Sequence, residues 1–511
     1  MPTTIPTHVS GDPTGPSDTL EAVDVLDAST AGSLAARGGA IRIASFLAGS
    51  LSAVGAAALL YRHLGATGVG QYGLILALIG IVGGFSDLGL TVVGTRAAAT
   101  LDPEGRTTML RDLLGVRVAM TVTGIVVIAA ICTALYGSLI VWGVLIAGVG
   151  LVFQVWLDNY IVSLIVSLRL GWVALIDFGR NFSSAVLIVA LTLIGAHLLS
   201  FVAVTIPIGI VALCVGVRLL KDERSLTPTF NAQRWGKLLA SSIVYSLAAA
   251  TATIYFYAAI VLTSLLSNAH QLGYFQLSFR VTSLLAIVPW LLSGSALPIF
   301  SRAARDDSQR LGYALSRVLE VSLLLGVWIA LTLAIGSRIV IEIIGGTTGH
   351  HNFLPAVPVL VFQAIALAGT FVSCVGQHGL LSLSLHRRIL LINVTGLLVA
   401  IVVMCVLIPA YGARGGAIAT MVGELSAAVA AWVALCTARP ELRPSLRLVP
   451  GIAAAALAGC APLLISSLPV LARVVLSSAL YFAVVLATRS YPSEISDMLP
   501  QPLRRLVLPG R

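Results

Sequence analysis

Charge is what this chain has least of. Charged residues fill 10% of 511 positions against 58% hydrophobic ones, and the mean hydropathy is +0.99. A soluble fold excludes itself at this composition, because a water-facing surface grows with chain length and must stay wettable. Lysine is nearly missing: Lys221 and Lys237 stand alone, so arginine supplies almost the whole net charge of +10. Those arginines sit in short clusters between apolar blocks, the pattern of orientation signals rather than of a phosphate-tracking groove, which excludes nucleic acid as a partner. The six cysteines show no CxxC or CxxH spacing, which removes a zinc site and a disulfide framework and leaves them as small packing residues. His350-His351 has no third ligand nearby, so no metal is expected. Nucleotide hydrolysis is excluded by the lack of G-x-x-x-x-G-K-[ST]. G-x-S-x-G and HExxH are missing as well, and the longest outer loop, roughly 336–354, is too small for a catalytic domain.

What is present is periodic apolar text. Blocks long enough to cross ~30 Å of hydrocarbon as helices are expected at 38–61, 70–92, 114–135, 139–167, 171–194, 198–220, 238–264, 271–299, 315–336, 355–382, 388–409, 414–436, 447–466 and 469–488, fourteen in all. The first 36 residues are rich in Thr, Pro, Ser, Gly and Asp and read as a disordered tail. With that tail inside, 25 of the 31 basic residues fall on inner segments, Arg117 among them. Only Arg62, Arg338 and Arg414 lie outside, and Arg180, Arg280 and Arg473 lie within spans. This bias predicts both termini in the cytoplasm.

The text also repeats itself. Gly70-Gln71-Tyr72, an apolar span, then Thr95-Arg96-Ala97-Ala98 is echoed by Gly273-Tyr274-Phe275, a span, then Ser301-Arg302-Ala303-Ala304. Asn181 and Asn393 each open a further matching run. Spans 1–6 and 7–12 are therefore expected as parallel copies, with the substrate path between them. The expected units are a tail at 1–36, one six-helix bundle at 37–225, another at 226–445, and two added helices with a tail at 446–511.

Leu64-Gly65-Ala66-Thr67-Gly68-Val69-Gly70-Gln71-Tyr72-Gly73, then Ser86-Asp87-Leu88-Gly89-Leu90 and Arg96, resembles the first two helices of bacterial polysaccharide flippases. Ile408-Pro409-Ala410-Tyr411-Gly412-Ala413-Arg414-Gly415-Gly416 and the following Glu424 are similar to the same group, as is Tyr274 to Arg302 with Leu297-Pro298. These proteins belong to the multidrug/oligosaccharidyl-lipid/polysaccharide exporter superfamily. The resemblance implies an all-α membrane protein: two pseudo-symmetric six-helix bundles in a V around a central cavity, plus two C-terminal helices. It implies a flippase carrying polyprenyl-diphosphate-linked oligosaccharide across a bacterial cytoplasmic membrane, biased by a proton or cation gradient and needing no cofactor. The first helix, Ile43 to Tyr61, holds neither the acid typical of the multidrug branch nor the arginines of the lipid II branch. A cation-coupled multidrug exporter and a membrane glycan polymerase or ligase stay open as alternatives.

Each intramembrane charge needs a reason, at ~2.5–3.5 kcal/mol apiece on insertion scales. Arg280 is the leading candidate: a guanidinium on a cavity-lining span would grip a diphosphate with its two-pronged fork. The alternative is a helix-pairing arginine. Asp177 and Arg180, three apart on one helix face, would form an internal pair or, with Asp158, meet sugar hydroxyls. Asp87 is expected to pair with Arg96 or Arg42, and Arg42 also stands where an incoming diphosphate arrives. Glu424 needs a partner or a wet cavity and is the candidate for proton coupling; Glu320 is expected to be solvated. Pro207, Pro289 and Pro298 should bend their helices. Tyr255, Tyr257 and Tyr274 are candidates for stacking on sugar rings, with aromatic packing as the bland use.

Overall fold

The computed structural model describes residues 31–91, 94–95, 101–166, 169–219, 227–306, 308–347, 352–444, 447–465 and 467–492. The side chains of 31–48, 50, 51, 103, 166, 170, 232 and 237–245 lie outside that description. Among the described residues every regular element is helical. The first half holds α1 (Ala31–Asp87), α2 (Pro103–Leu135), α3 (Ser138–Val166), α4 (Leu170–Leu193), α5 (Leu198–Ala203) and α6 (Thr205–Leu219). The second holds α7 (Ala232–Leu266), α8 (Ala269–Leu285), α9 (Ile287–Asp306), α10 (Ser308–Gly345), α11 (Val357–Ser382), α12 (His386–Tyr411) and α13 (Ala413–Ala438). Two further helices, α14 (Val449–Cys460) and α15 (Val470–Ala487), follow. Among the described residues twelve stretches are long and apolar enough to cross a membrane, and Val449–Leu464 is a shorter apolar one.

The first of those twelve contains two crossings. Gly65 sits at φ 65, ψ 176 inside α1, outside helical geometry. Before it, Gly49 packs on Asn181 of α4. After it, Asp87 shares the Arg117 guanidinium with Asp158, and Asp158 lies within Coulombic reach of Asp177 and Arg180. Both arms of α1 therefore end beside the same stretch of α4, so the chain doubles back at Gly65. The loop expected between spans 1 and 2 is replaced by one glycine. Counting both arms, and joining α5 to α6, α8 to α9 and α14 to its trailing turn, recovers fourteen segments.

The joined pairs are broken where proline withdraws a donor. Pro207 has no N–H for the Ala203 carbonyl, and α5 stops at Ala203. Pro289 leaves the Leu285 carbonyl free, and α8 stops at Leu285. Pro298 lies inside α9 without ending it. Other helices outrun their apolar blocks because polar turns continue them past the hydrocarbon. α2 begins at Pro103, with the Asp102 side chain accepting from the Gly105 N–H. α10 reaches Gly345, so the expected outer loop 336–354 is helical over its first ten residues, and Arg338 becomes a helical residue paired with Glu342 at 2.9 Å.

The halves meet through a reciprocal contact of small residues. A Cβ on Gly70 would stand 2.1 Å from the Ala269 carbonyl oxygen, and one on Gly273 would stand 1.9 Å from that of Ala66. Ala66–Gly70 and Ala269–Gly273 are the same small-xxx-small pattern, which lets membrane helices approach backbone to backbone. Nearby, Arg62 donates to the carbonyls of Ile343 (2.6 Å) and Glu342 (3.2 Å) at the end of α10. The Tyr136 hydroxyl meets Ser264 at 2.7 Å. Further along the same arm, Gly80 lies under Tyr257 and Gly84 under Thr253. The appended helices pack on α10, with the Tyr481 hydroxyl donating to the Leu324 carbonyl at 3.0 Å.

Candidate functional site

The charged residues resolve into three places. In the first half, Arg117 of α2 is buried, 3.1 Å from Asp87 and 3.9 Å from Asp158. Asp87 also accepts from the N–H and hydroxyl of Thr91. Asp177 and Arg180 complete the cluster around Asp158. Four candidates, Asp87, Asp158, Asp177 and Arg180, thus come together on α1, α3 and α4. Their organiser, Arg117, was assigned to an inner segment by its place near a span end. The flanking Val116 and Val118 were the signal that it is intramembrane. Asp87 pairs with Arg117; Arg96 and the Arg42 side chain, the partners expected for it, lie outside the described residues, as do His350 and His351. A buried guanidinium demands such neighbours, since an unpaired one costs several kcal/mol.

Arg280 stands apart from this cluster, half-buried on α8. It lies within Coulombic reach of Tyr61 and Tyr72, one from each arm of α1. Both arms of α1 are thus near it. Neighbouring α8 positions diverge from it: Phe279, Thr282, Ser283 and then Ala286, spaced as one helical face, border a cavity of about 330 Å³ within the second half.

That cavity holds the third place. It lies among α7, α8, α9, α11, α12 and α13 and contains Glu424, whose carboxylate accepts from the Thr370 hydroxyl at 2.9 Å. The partner and the cavity expected for Glu424 are both present. Tyr255, Phe256, Phe279 and Trp290 give aromatic walls, and Gln363, Gln377 and Asn393 give amides. Of the tyrosines considered for sugar stacking, Tyr255 reaches the cavity, Tyr257 covers Gly80 between the halves, and Tyr274 is buried beside His270 and Phe353. The expected solvation of Glu320 is overturned: it is buried and bonded to Arg317 at 2.7 Å, one turn along α10. Its span starts at Ser308 rather than at 315, which carries Glu320 inward. Among the described residues no group of three His, Cys, Asp or Glu is placed to hold a metal ion.

A family described as "Polysaccharide biosynthesis protein" matches residues 59–350. No curated protein sequence matches the chain. Among solved structures, the lipid II flippase MurJ in an inward closed conformation superimposes with a TM-score of 0.71 at 14% identity, covering 89% of this chain and 99% of its own. An inward-facing multidrug resistance MATE family transporter of the MOP superfamily gives 0.61 at 15%, covering 79% and 97%. A variant of the Vibrio cholerae MATE transporter VcmN gives 0.54 at 16%, covering 80% and 97%. At these identities the likeness is one of fold: helices arranged as in multi-pass membrane transporters.

Proposed function

Because the chain belongs to the polysaccharide biosynthesis protein family, whose match covers more than half of it, we propose that it is a flippase for lipid-linked oligosaccharide. It moves a polyprenyl-diphosphate-linked glycan across a bacterial cytoplasmic membrane by alternating access, with both termini cytoplasmic. The observation that carries the reading is Arg280: a half-buried guanidinium on α8 of the second half, within Coulombic reach of Tyr61 and Tyr72 of the first. A diphosphate entering that junction loses water and regains two charge-assisted hydrogen bonds from the fork and more from the phenols. The polyprenyl tail stays in lipid while the halves rock about it. The Arg117 cluster holds α1 to α3 and α4, with three carboxylates against two guanidiniums, a balance that suits helix fastening and repels a diphosphate. Glu424 takes a proton or cation and biases the cycle.

The second reading is a cation-coupled multidrug exporter, favoured by the Glu424 carboxylate standing among aromatic walls with no lysine or arginine in the lining among the described residues. The test reconstitutes the purified chain in liposomes whose lumenal leaflet carries a fluorescent polyprenyl-diphosphate-oligosaccharide. Appearance of the glycan on the outer face is read by a membrane-impermeant lectin. Wild-type protein should accelerate it and Arg280→Ala should return it to background. Full flipping by Arg280→Ala removes that residue from the site, and transport of lipophilic cations with none of the glycan overturns the reading.

A further inference from the structure

We propose that the cavity inside the second half is a subsite for one neutral sugar ring of the glycan. Its ligand class is set by what lines it, and the flippase reading supplies only where the ring comes from. At about 330 Å³ the space falls in the range of small-molecule pockets. Its charge excludes the phosphates: Glu424 contributes a carboxylate, and neither lysine nor arginine lines it among the described residues. An anion placed there faces the Glu424 carboxylate and loses hydration with no lysine or arginine to offset it.

The polar groups then separate a ring from an organic cation. Gln377 and Asn393 on the lining each offer a donor and an acceptor. Glu424 offers acceptors and already holds the Thr370 hydroxyl at 2.9 Å. Gln363, 2% exposed, is used within the wall, where it meets the Thr282 hydroxyl at 3.3 Å. A lipophilic cation without hydroxyls would leave the lining amides unused; a ring hydroxyl both gives and takes. The apolar C–H face of the same ring would lie on Phe256, Phe279 or Trp290.

The helix geometry joins this subsite to the diphosphate. Phe279, Thr282 and Ser283 face the cavity, while Arg280 between them faces Tyr61 and Tyr72. Two faces of the same turn of α8 thus carry the phosphate-binding position and the ring-binding one, as a diphosphate and its first sugar require.

The experiment uses the purified full chain in a detergent without sugar headgroups. Maleimide labelling of Cys374, which lines the cavity, is followed by mass spectrometry of its peptide. Fluorescence of Trp290 at the rim, 64% exposed, is the second readout. Free hexoses and N-acetylhexosamines should slow the labelling and shift a fluorescence component that Trp290→Phe removes. Gln377→Leu should raise the protecting concentration about tenfold, the cost of one lost hydrogen bond. Asn393→Ala should weaken protection in the same direction if the first variant fails to fold. Arg280→Ala should leave protection by free sugars intact. Protection by tetraphenylphosphonium in place of sugars, or no sugar effect on either readout, overturns the subsite. Loss of sugar binding with Arg280-dependent flipping retained sinks the subsite alone; sugar binding without flipping sinks the flippase reading alone.

Discussion

Gly70 and Gly273 each rest on the other's helix by the same rule. Gly70 meets the backbone at Ala269, Gly273 meets it at Ala66, and both partners stand four residues before the opposite glycine. A contact in which i touches j and the equivalent of j touches the equivalent of i is what a two-fold relation produces. Two copies of one helical unit facing each other account for it directly.

Side chains at this crossing should be intolerable. Gly273→Leu is expected to lower stability by at least the ~1–3 kcal/mol typical of overpacking, because backbone rather than a flexible side chain blocks the new atoms. Gly294→Ala, where nothing lies within 4 Å of an added Cβ, should change little. Thermal unfolding of both variants in detergent decides the matter.

Arg117→Ala should cost about 1–3 kcal/mol: Asp87 and Asp158 lose their shared cation, but each keeps about a third of its side chain open, so the full penalty of a buried unpaired charge is not reached. Neutralising one acid as well, in Arg117→Ala with Asp87→Asn, should recover part of that loss. The melting temperatures of single and double variants, compared as a cycle, measure the coupling; strict additivity would disprove it.

Arg280→Lys keeps the charge and loses the planar fork. Flipping should fall by about tenfold, less than for Arg280→Ala, since a lysine ammonium offers a point charge and no paired donors. Equal rates for Arg280→Lys and wild type would show that charge alone is used. Protein yield should be unchanged in both, because the residue is only half-buried.

Glu424→Gln keeps an oxygen for the Thr370 hydroxyl and loses the titratable group. The ratio of flipping rates with and without an imposed proton gradient should therefore fall to one. A ratio equal to wild type assigns coupling elsewhere.

The helical architecture was legible because apolar blocks near hydrocarbon length admit few alternatives. Arg280 and Glu424 were legible too, as charges stranded in apolar text. Arg117 was not, since a basic residue close to a span end reads equally as an orientation signal. The turn at Gly65 stayed hidden because sequence patterns anticipate a reversal as a polar loop, whereas here one residue's dihedral angles accomplish it. Least visible was the second-half cavity. Tyr255, Gln363, Asn393 and Glu424 are scattered over four helices, and only packing brings them to one wall.

A dihedral pair of φ 65 and ψ 176 belongs to glycine alone. The arms on either side of Gly65 are thus stapled at a separation no longer linker could hold. A tag or protease site tolerated in most inter-helix connections should be ruinous here, and whatever excursion one arm makes, the other must share.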